Sequence, residues 1–194
     1  MAGYTGISAS TAAVTNRFVA STNMVNAAYT IANASPPWQG GCFVVATITG
    51  VTGNDTPGTI TIVGTGLNGQ PVTEVLALVA GASATSANVF KTITSITQAG
   101  WVINGGNDTI VIGCAAGAIV ANGNGKLYAV VVNTTAASAV ILSDSARTIA
   151  TLKASIAEGH YIYGPGLDFV GYLKVSTTGA NDITVIADGS SLAA

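Results

Sequence analysis

Charged residues are scarce in this chain. Of its 194 residues only six are Lys or Arg and eight are Asp or Glu, so 7% is charged, against about a quarter in an ordinary soluble domain. Hydrophobic residues make up 49% of the chain, and 24 residues are glycine. So few charges cannot cover a solitary domain, and the surface must consist of small uncharged groups or lie against other subunits. This composition favours an assembly component over a freely diffusing enzyme.

Long hydrophobic runs are also missing. The longest, Tyr128–Val132 and Ala139–Leu142, are too short to cross a bilayer as a helix. Met1–Ala9 has neither the cationic nor the apolar region of a signal peptide. The net charge is −2 and the cations are dispersed, so we expect no basic patch for nucleic acid or anionic lipid. Neither a membrane nor a nucleic acid is therefore expected as a partner.

Cysteine and histidine, the commonest ligands of structural metals, are almost absent. Cys42 and Cys114 stand far apart in apolar surroundings, which predicts buried free thiols rather than a disulfide. The single histidine, His160, follows Glu158 in a polar turn, and no local motif joins it to a nucleophile as a catalytic triad requires. A structural or surface role is favoured for His160. One histidine with two distant cysteines predicts no zinc site.

Three acids stand in matching positions: Asp55, Asp108 and Asp182 each follow an asparagine and precede a strand-like segment. Turn chemistry explains this echo, because Asn and Asp side chains bond their own backbone before a strand begins. Duplicated halves of the chain are the alternative explanation of the repeated pattern. Calcium binding is a separate hypothesis for the three acids, since such acids and backbone carbonyls are its preferred ligands. Each acid is isolated in sequence, and the spaced acids of an EF-hand loop are absent, so turn chemistry is favoured.

Aromatic residues are few, and four of them cluster towards the end of the chain. They could stack on a sugar, but at strand spacing such residues more often belong to a core or an interface. The acids are too scattered to suggest the paired carboxylates of a glycosidase. We therefore predict no catalytic, cofactor-binding or metal-ligating residues and no cofactor. The four aromatic residues are Tyr161, Tyr163, Phe169 and Tyr172.

Period-two alternation of apolar and polar residues dominates the chain after Gly41. In Thr59–Gly64 it places Ile60 and Ile62 on one face and the threonines on the other, as in a half-buried strand. Many short strands with turn residues between them predict an all-β fold of one or two antiparallel β-sandwich or jelly-roll-like modules. The predicted strands are Cys42–Gly50, Thr59–Gly64, Val72–Leu78, Val89–Thr97, Trp101–Ile103, Thr109–Ile112, Lys126–Asn133, Ala139–Ser143, Thr148–Lys153, Tyr161–Tyr163, Tyr172–Thr177 and Ile183–Ala187.

Composition also predicts three parts. Residues 1–34 specify little core, which predicts an extended N-terminal arm, with a short helix near Ala20–Ala28, that becomes ordered on a neighbouring subunit. A first β-sandwich unit is expected over residues 35–120 and a second over residues 121–194. The second unit is expected to begin after Gly117–Gly125, in which Asn122–Gly125 is the most linker-like stretch.

Two motifs resemble a pattern in virion proteins of tailed bacteriophages. There, a strand of the type TITITGTD, an NG turn and ITE precede a later FKTVTSIT. This chain has TITIVGTGLNGQPVTE over Thr59–Glu74 and FKTITSIT over Phe90–Thr97. Lys126–Asn133 and Gly159–Tyr163 are similar to small β modules of the same class. The resemblance covers most of the chain after about residue 40 and implies a structural protein without an active site.

From composition and resemblance together we expect a capsid decoration (cement) protein, not an enzyme. Its partners would be the major capsid protein and itself, as a homotrimer or dimer, on the outer surface of a virion assembled in the host cytoplasm. Edge strands and a charge-poor surface would supply the contacts. A tail, neck or fibre-attachment component is the alternative within the same setting. A carbohydrate-binding host-recognition module is the alternative from another class.

Overall fold

The chain folds into β-strands and turns. The computed structural model describes residues 3–50, 55–102, 104, 108–189 and 191–192, and these contain no helix. Neighbouring strands pair in the antiparallel sense, so the predicted all-β fold class is confirmed. The strands are β1 (Gly3–Ile7), β2 (Val14–Asn23), β3 (Cys42–Thr49), β4 (Thr59–Thr65), β5 (Pro71–Ala77), β6 (Ser83–Phe90), β7 (Thr92–Ala99), β8 (Thr109–Cys114), β9 (Ala118–Asn122), β10 (Gly125–Val132), β11 (Val140–Ser143), β12 (Thr148–Leu152), β13 (Gly159–Phe169), β14 (Tyr172–Thr177), β15 (Ile183–Ala187) and β16 (Ser191–Leu192).

The first compact unit is assembled from three segments, residues 1–12, 37–42 and 116–194. It contains a four-stranded sheet in the order β1-β15-β10-β13 and a five-stranded sheet in the order β12-β11-β14-β9-β16. Alternate residues are buried, as Leu173 and Val175 show in β14. Two antiparallel sheets that each bury alternate side chains form a β-sandwich-like core.

The second compact unit comprises residues 13–36 and 43–115. Its sheets have the orders β2-β8-β3-β6 and β5-β4-β7. In β4, Ile60 and Ile62 are fully buried, whereas Thr59 and Thr61, which alternate with them, keep part of their surface exposed. The alternation predicted for this strand is therefore confirmed.

The N-terminal residues are not the extended arm that composition predicted. β1 pairs with β15 from Gly3↔Ala187 to Ile7↔Ile183, and β2 pairs with β8. Phe18 is fully buried in β2. This strand runs to Asn23, into the segment where the helix near Ala20–Ala28 was expected. The prediction failed because these strands complete their cores with partners far away in sequence, which local composition does not reveal.

The segment that follows β2 is also part of the core, as the contacts of Tyr29 show. The Tyr29 hydroxyl donates a hydrogen bond to the Met24 carbonyl at 2.9 Å, and burial raises its pKa to about 12. The amide of Tyr29 donates to the carbonyl of Ile96 in β7. The segment after β2 therefore belongs to the core of its own unit.

The predicted linker and domain boundaries were also wrong. Gly117–Gly125 contains β9, in which four consecutive residues are buried. Gly40 and Gly41 lie against this strand: the amide of Gly41 donates to the Ile119 carbonyl at 2.9 Å. A Cβ on Gly40, whose φ is +95°, would stand 2.5 Å from the same oxygen, so only glycine fits this approach.

Two local predictions need smaller corrections. The predicted strand Val89–Thr97 covers the end of β6, which begins earlier at Ser83, and most of β7. Val102 forms only an isolated bridge with Thr56, and Ile103, the end of that predicted strand, lies outside the described residues. The asparagines that precede Asp55 and Asp108 also lie outside them.

Candidate functional site

A row of uncharged side chains crosses the outer face of the four-stranded sheet β1-β15-β10-β13. Residues paired directly across antiparallel strands point to the same face, and the register places one residue from each strand in this row. The neighbouring inner row, which includes Val130 and Val185, is buried. We call the outer set the apolar row; it consists of Tyr4, Ile186, Ala129 and Ile162.

The two ends of the apolar row are strongly exposed. Tyr4 keeps 68% of its surface accessible and Ile162 keeps 72%. Removing apolar surface from water is favourable by about 25 cal/mol for each Å². This row is therefore suited to contact with another protein surface. Sequence alone offered a weak signal, because Tyr4 and Ile162 occupy the phase of their strands at which polar residues are usual.

His160 lies beside the apolar row, on the same outer face. The register pairs it with Val131, which in turn pairs with Thr184. Both His160 and Glu158 are exposed. This position agrees with the surface role predicted for His160, and it places the imidazole next to the uncharged side chains of the apolar row.

The predicted aromatic cluster does not form one exposed stacking surface. Phe169 is fully buried, and Tyr172 lies on β14, in the other sheet of the unit. Tyr161 is partly buried and donates a hydrogen bond from its hydroxyl to the Ala157 carbonyl at 2.7 Å. Burial raises the pKa of Tyr163. Of the four residues, Phe169 belongs to the core, and the three tyrosines are partly buried.

Both cysteines are buried as predicted. Cys42 and Cys114 have almost no exposed surface, and they are not joined in a disulfide. Small sulfur side chains in such positions behave as apolar packing groups.

A polar cleft of about 580 Å³ lies where β10, the end of β13 and the residues after β15 meet. Asp188 receives hydrogen bonds from the Lys126 amide at 2.6 Å and the Tyr128 hydroxyl at 2.8 Å. These bonds, that of Tyr128 first, lower the pKa of Asp188. Lys126 forms an ion pair with Asp168 at 2.6 Å. Every charge in this cleft has a partner, which is typical of a structural network, and nothing in the sequence marked these residues as a group.

The three acids that follow an asparagine in the sequence, Asp55, Asp108 and Asp182, have different surroundings in the fold. Asp182 is partly exposed and accepts a hydrogen bond from the Asn133 side chain at 2.9 Å. Asp55 and Asp108, separated by more than fifty residues, come together in the second unit, where contact with Asp55 raises the pKa of Asp108 in addition to the larger effect of burial. Sequence reasoning treated each acid as isolated, and the fold overturns that for this pair.

Comparisons with protein-family models, with curated proteins and with solved structures found no match to this chain. Within the described ranges, no group of three or more His, Cys, Asp or Glu side chains is placed to hold a metal ion. The part of the chain that the structure describes also includes no helix of the length and hydrophobicity needed to cross a membrane. The candidate surface for function is the apolar row, because two large side chains, Tyr4 and Ile162, remain strongly exposed on it.

Proposed function

We propose that this chain is a structural component of a tailed-phage virion, and specifically a decoration protein that binds across neighbouring capsid subunits. The observation that carries the proposal is the apolar row, an uncharged line of side chains across four paired strands whose two ends, Tyr4 and Ile162, are strongly exposed. The resemblance of Thr59–Glu74 and Phe90–Thr97 to phage virion proteins supplies the setting. The protein would act through binding and not through catalysis.

The physical basis is the low cost of packing an uncharged surface against another protein. The core of a protein interface is depleted of charged residues and enriched in aromatic ones, and Tyr4 and Ile162 meet this description. The open face of the sheet β5-β4-β7 has a similar character, because Val75 pairs with Thr61, which pairs with Thr97. Val75 is 62% exposed. Each of the two units therefore offers a sheet face without charge on these rows.

A particle-binding assay with matched variants tests the role of the apolar row. Ile162→Lys adds a charge at its exposed end, and binding to capsids would force an unpaired ion into the interface. We expect the affinity to fall at least ~10-fold, because the unpaired ion should cost at least about 1.4 kcal/mol, which corresponds to a tenfold change in affinity. Val79→Lys is the control, because Val79 is 60% exposed in the loop after β5. Equal binding by both variants would argue against this surface.

Quantitative mass spectrometry of purified virions tests the assignment itself. A decoration protein should be present at a copy number comparable to that of the major capsid subunit, and bare capsids should resist heat less well than decorated ones. A handful of copies per particle would instead place the chain in the neck or tail. Binding of isolated protein to host polysaccharide, with no binding to capsids, would replace the proposal with a carbohydrate-binding module.

A further inference from the structure

Asp108 is a buried acid whose carboxylate lacks a hydrogen-bond donor. Its side chain has 0% of its surface exposed. Among the residues that the structure describes, neither carboxylate oxygen receives a hydrogen bond from an N–H or O–H group. Buried carboxylates are normally paired with a cation or with several donors. The burial of Asp108 therefore calls for a partner that supplies positive charge.

Asp55 increases this need for positive charge, because it is a second acid beside Asp108. Asp55 contacts Asp108 closely enough to raise the pKa of that group further. The backbone holds the contact in place: Thr56 and Val102 exchange hydrogen bonds at 2.8 and 3.0 Å, and Asp55 accepts one from the Asn104 amide at 2.8 Å. Two carboxylates held side by side must share a proton or bind a cation.

The backbone of Asp108 is also held in place. Its carbonyl accepts a hydrogen bond from the Met24 amide at 3.1 Å, and the next residue, Thr109, begins β8 opposite Asn23. Asp55 stands shortly before β4, at the matching end of its own strand. The acids are thus held by the ends of two strands, which gives a preformed arrangement of oxygen atoms.

We propose that Asp55 and Asp108 form a binding site for a hard divalent cation, with calcium as the ion that fits best. Calcium accepts six to eight oxygen ligands in flexible geometry, including carboxylates, backbone carbonyls and water. Two carboxylates would balance its charge, while backbone carbonyls and water would complete the shell. Sites of this type with few acids bind calcium with Kd values of about 10⁻⁴–10⁻³ M.

Calorimetric titration of the chelator-treated full chain with CaCl₂ tests the site. We expect one ion per chain, and a Tm that rises with calcium concentration because the ion binds only the folded state. Asp108→Asn and Asp55→Asn should each weaken binding at least ~10-fold, since each removes one of two charged ligands. Asp182→Asn is the matched control, because it changes the third acid of the echo and should leave binding unchanged.

Unfolding measured in EDTA distinguishes a site that binds a cation from a pair of acids that shares a proton. Without calcium, Asp108→Asn should be as stable as the original protein or more stable, because the amide removes a buried like-charge contact. If this buried variant fails to fold, Asp55→Asn alone decides the matter, since Asp55 is only partly buried. No heat and no rise in Tm at ~10 mM calcium, well above that Kd range, would overturn the proposal. Undiminished binding by Asp55→Asn would overturn it as well.

Discussion

Single side chains close several turns of this fold, and Asp144 is the clearest case. It lies between β11 and β12 and is almost fully buried. Its Oδ1 accepts hydrogen bonds from the Ala146 and Arg147 amides, each at 2.7 Å, and its Oδ2 accepts one from the Val170 amide at 3.2 Å. Burial by itself raises the pKa of Asp144, but these three bonds outweigh it and leave the pKa below the usual value.

The lowered pKa of Asp144 predicts a dependence of stability on pH. An acid whose pKa is depressed by folding stabilises the protein above its unfolded pKa of about 4, and this contribution is lost as pH falls through the folded value. Asp144→Asn should therefore lower the free energy of unfolding at pH 7 by about 1–3 kcal/mol. The difference between the two proteins should shrink steadily below pH 4.

Thermal unfolding of both proteins between pH 2 and pH 7, a range of about five units around the carboxyl pKa, measures this effect. Asp168→Asn serves as the control, because its side chain is 73% exposed in a surface ion pair and such pairs contribute about 0–1 kcal/mol. Parallel pH profiles for Asp144→Asn and the original protein would contradict the prediction.

At the scale of strands, β2 decides whether the N-terminal segment belongs to the fold or to assembly. Phe18 and Val19 are buried in this strand, and Met24 is buried just after it. The Arg17 guanidinium donates a hydrogen bond to the Ser35 carbonyl at 2.7 Å. These contacts tie residues 13–36 into the second unit, so their removal should damage folding before it affects any partner.

Truncation of the Phe18 side chain tests this conclusion. Phe18→Ala removes a fully buried aromatic ring and should lower the free energy of unfolding by about 3–5 kcal/mol. Val25→Ala, at a residue that is 52% exposed shortly after the same strand, should change it by less than about 0.5 kcal/mol. Chemical denaturation provides both values. A Phe18→Ala protein of unchanged stability would restore the view that this segment is a dispensable arm.

At the scale of the whole molecule, scarcity of charge is the dominant property. Six cations and eight anions serve 194 residues, and large apolar side chains remain exposed in both units. Proteins with so little surface charge tend to associate. We therefore predict that the isolated chain forms a small oligomer, a trimer or dimer.

Light scattering coupled to size-exclusion chromatography measures this association directly. The oligomer should persist at high salt, since apolar contacts are not screened by ions. A sharply defined monomer at high protein concentration would contradict the prediction. Dissociation in high salt would show instead that the few charges hold the subunits together.

Local sequence predicted the fold class and most strands after residue 41. In Thr59–Gly64 the alternation of Ile and Thr determines both the extended conformation and the side that is buried, because successive side chains of a strand point to opposite faces. Tyr172–Thr177 was predicted with the bounds that the structure has. The burial of Cys42 and Cys114 followed from their apolar surroundings in the same way.

Tertiary structure alone decided which distant segments meet. β1 pairs with β15 across nearly the whole length of the chain, and Asp55 meets Asp108 although 52 residues separate them in sequence. Composition made the first segment look like an arm and each acid look isolated, because a short window contains no information about a partner strand. The strand pattern is local, since it rests on the geometry of one extended backbone. Strand partners, the buried acid pair and the apolar row arise from contacts between remote residues, whose free energy depends on the completed core.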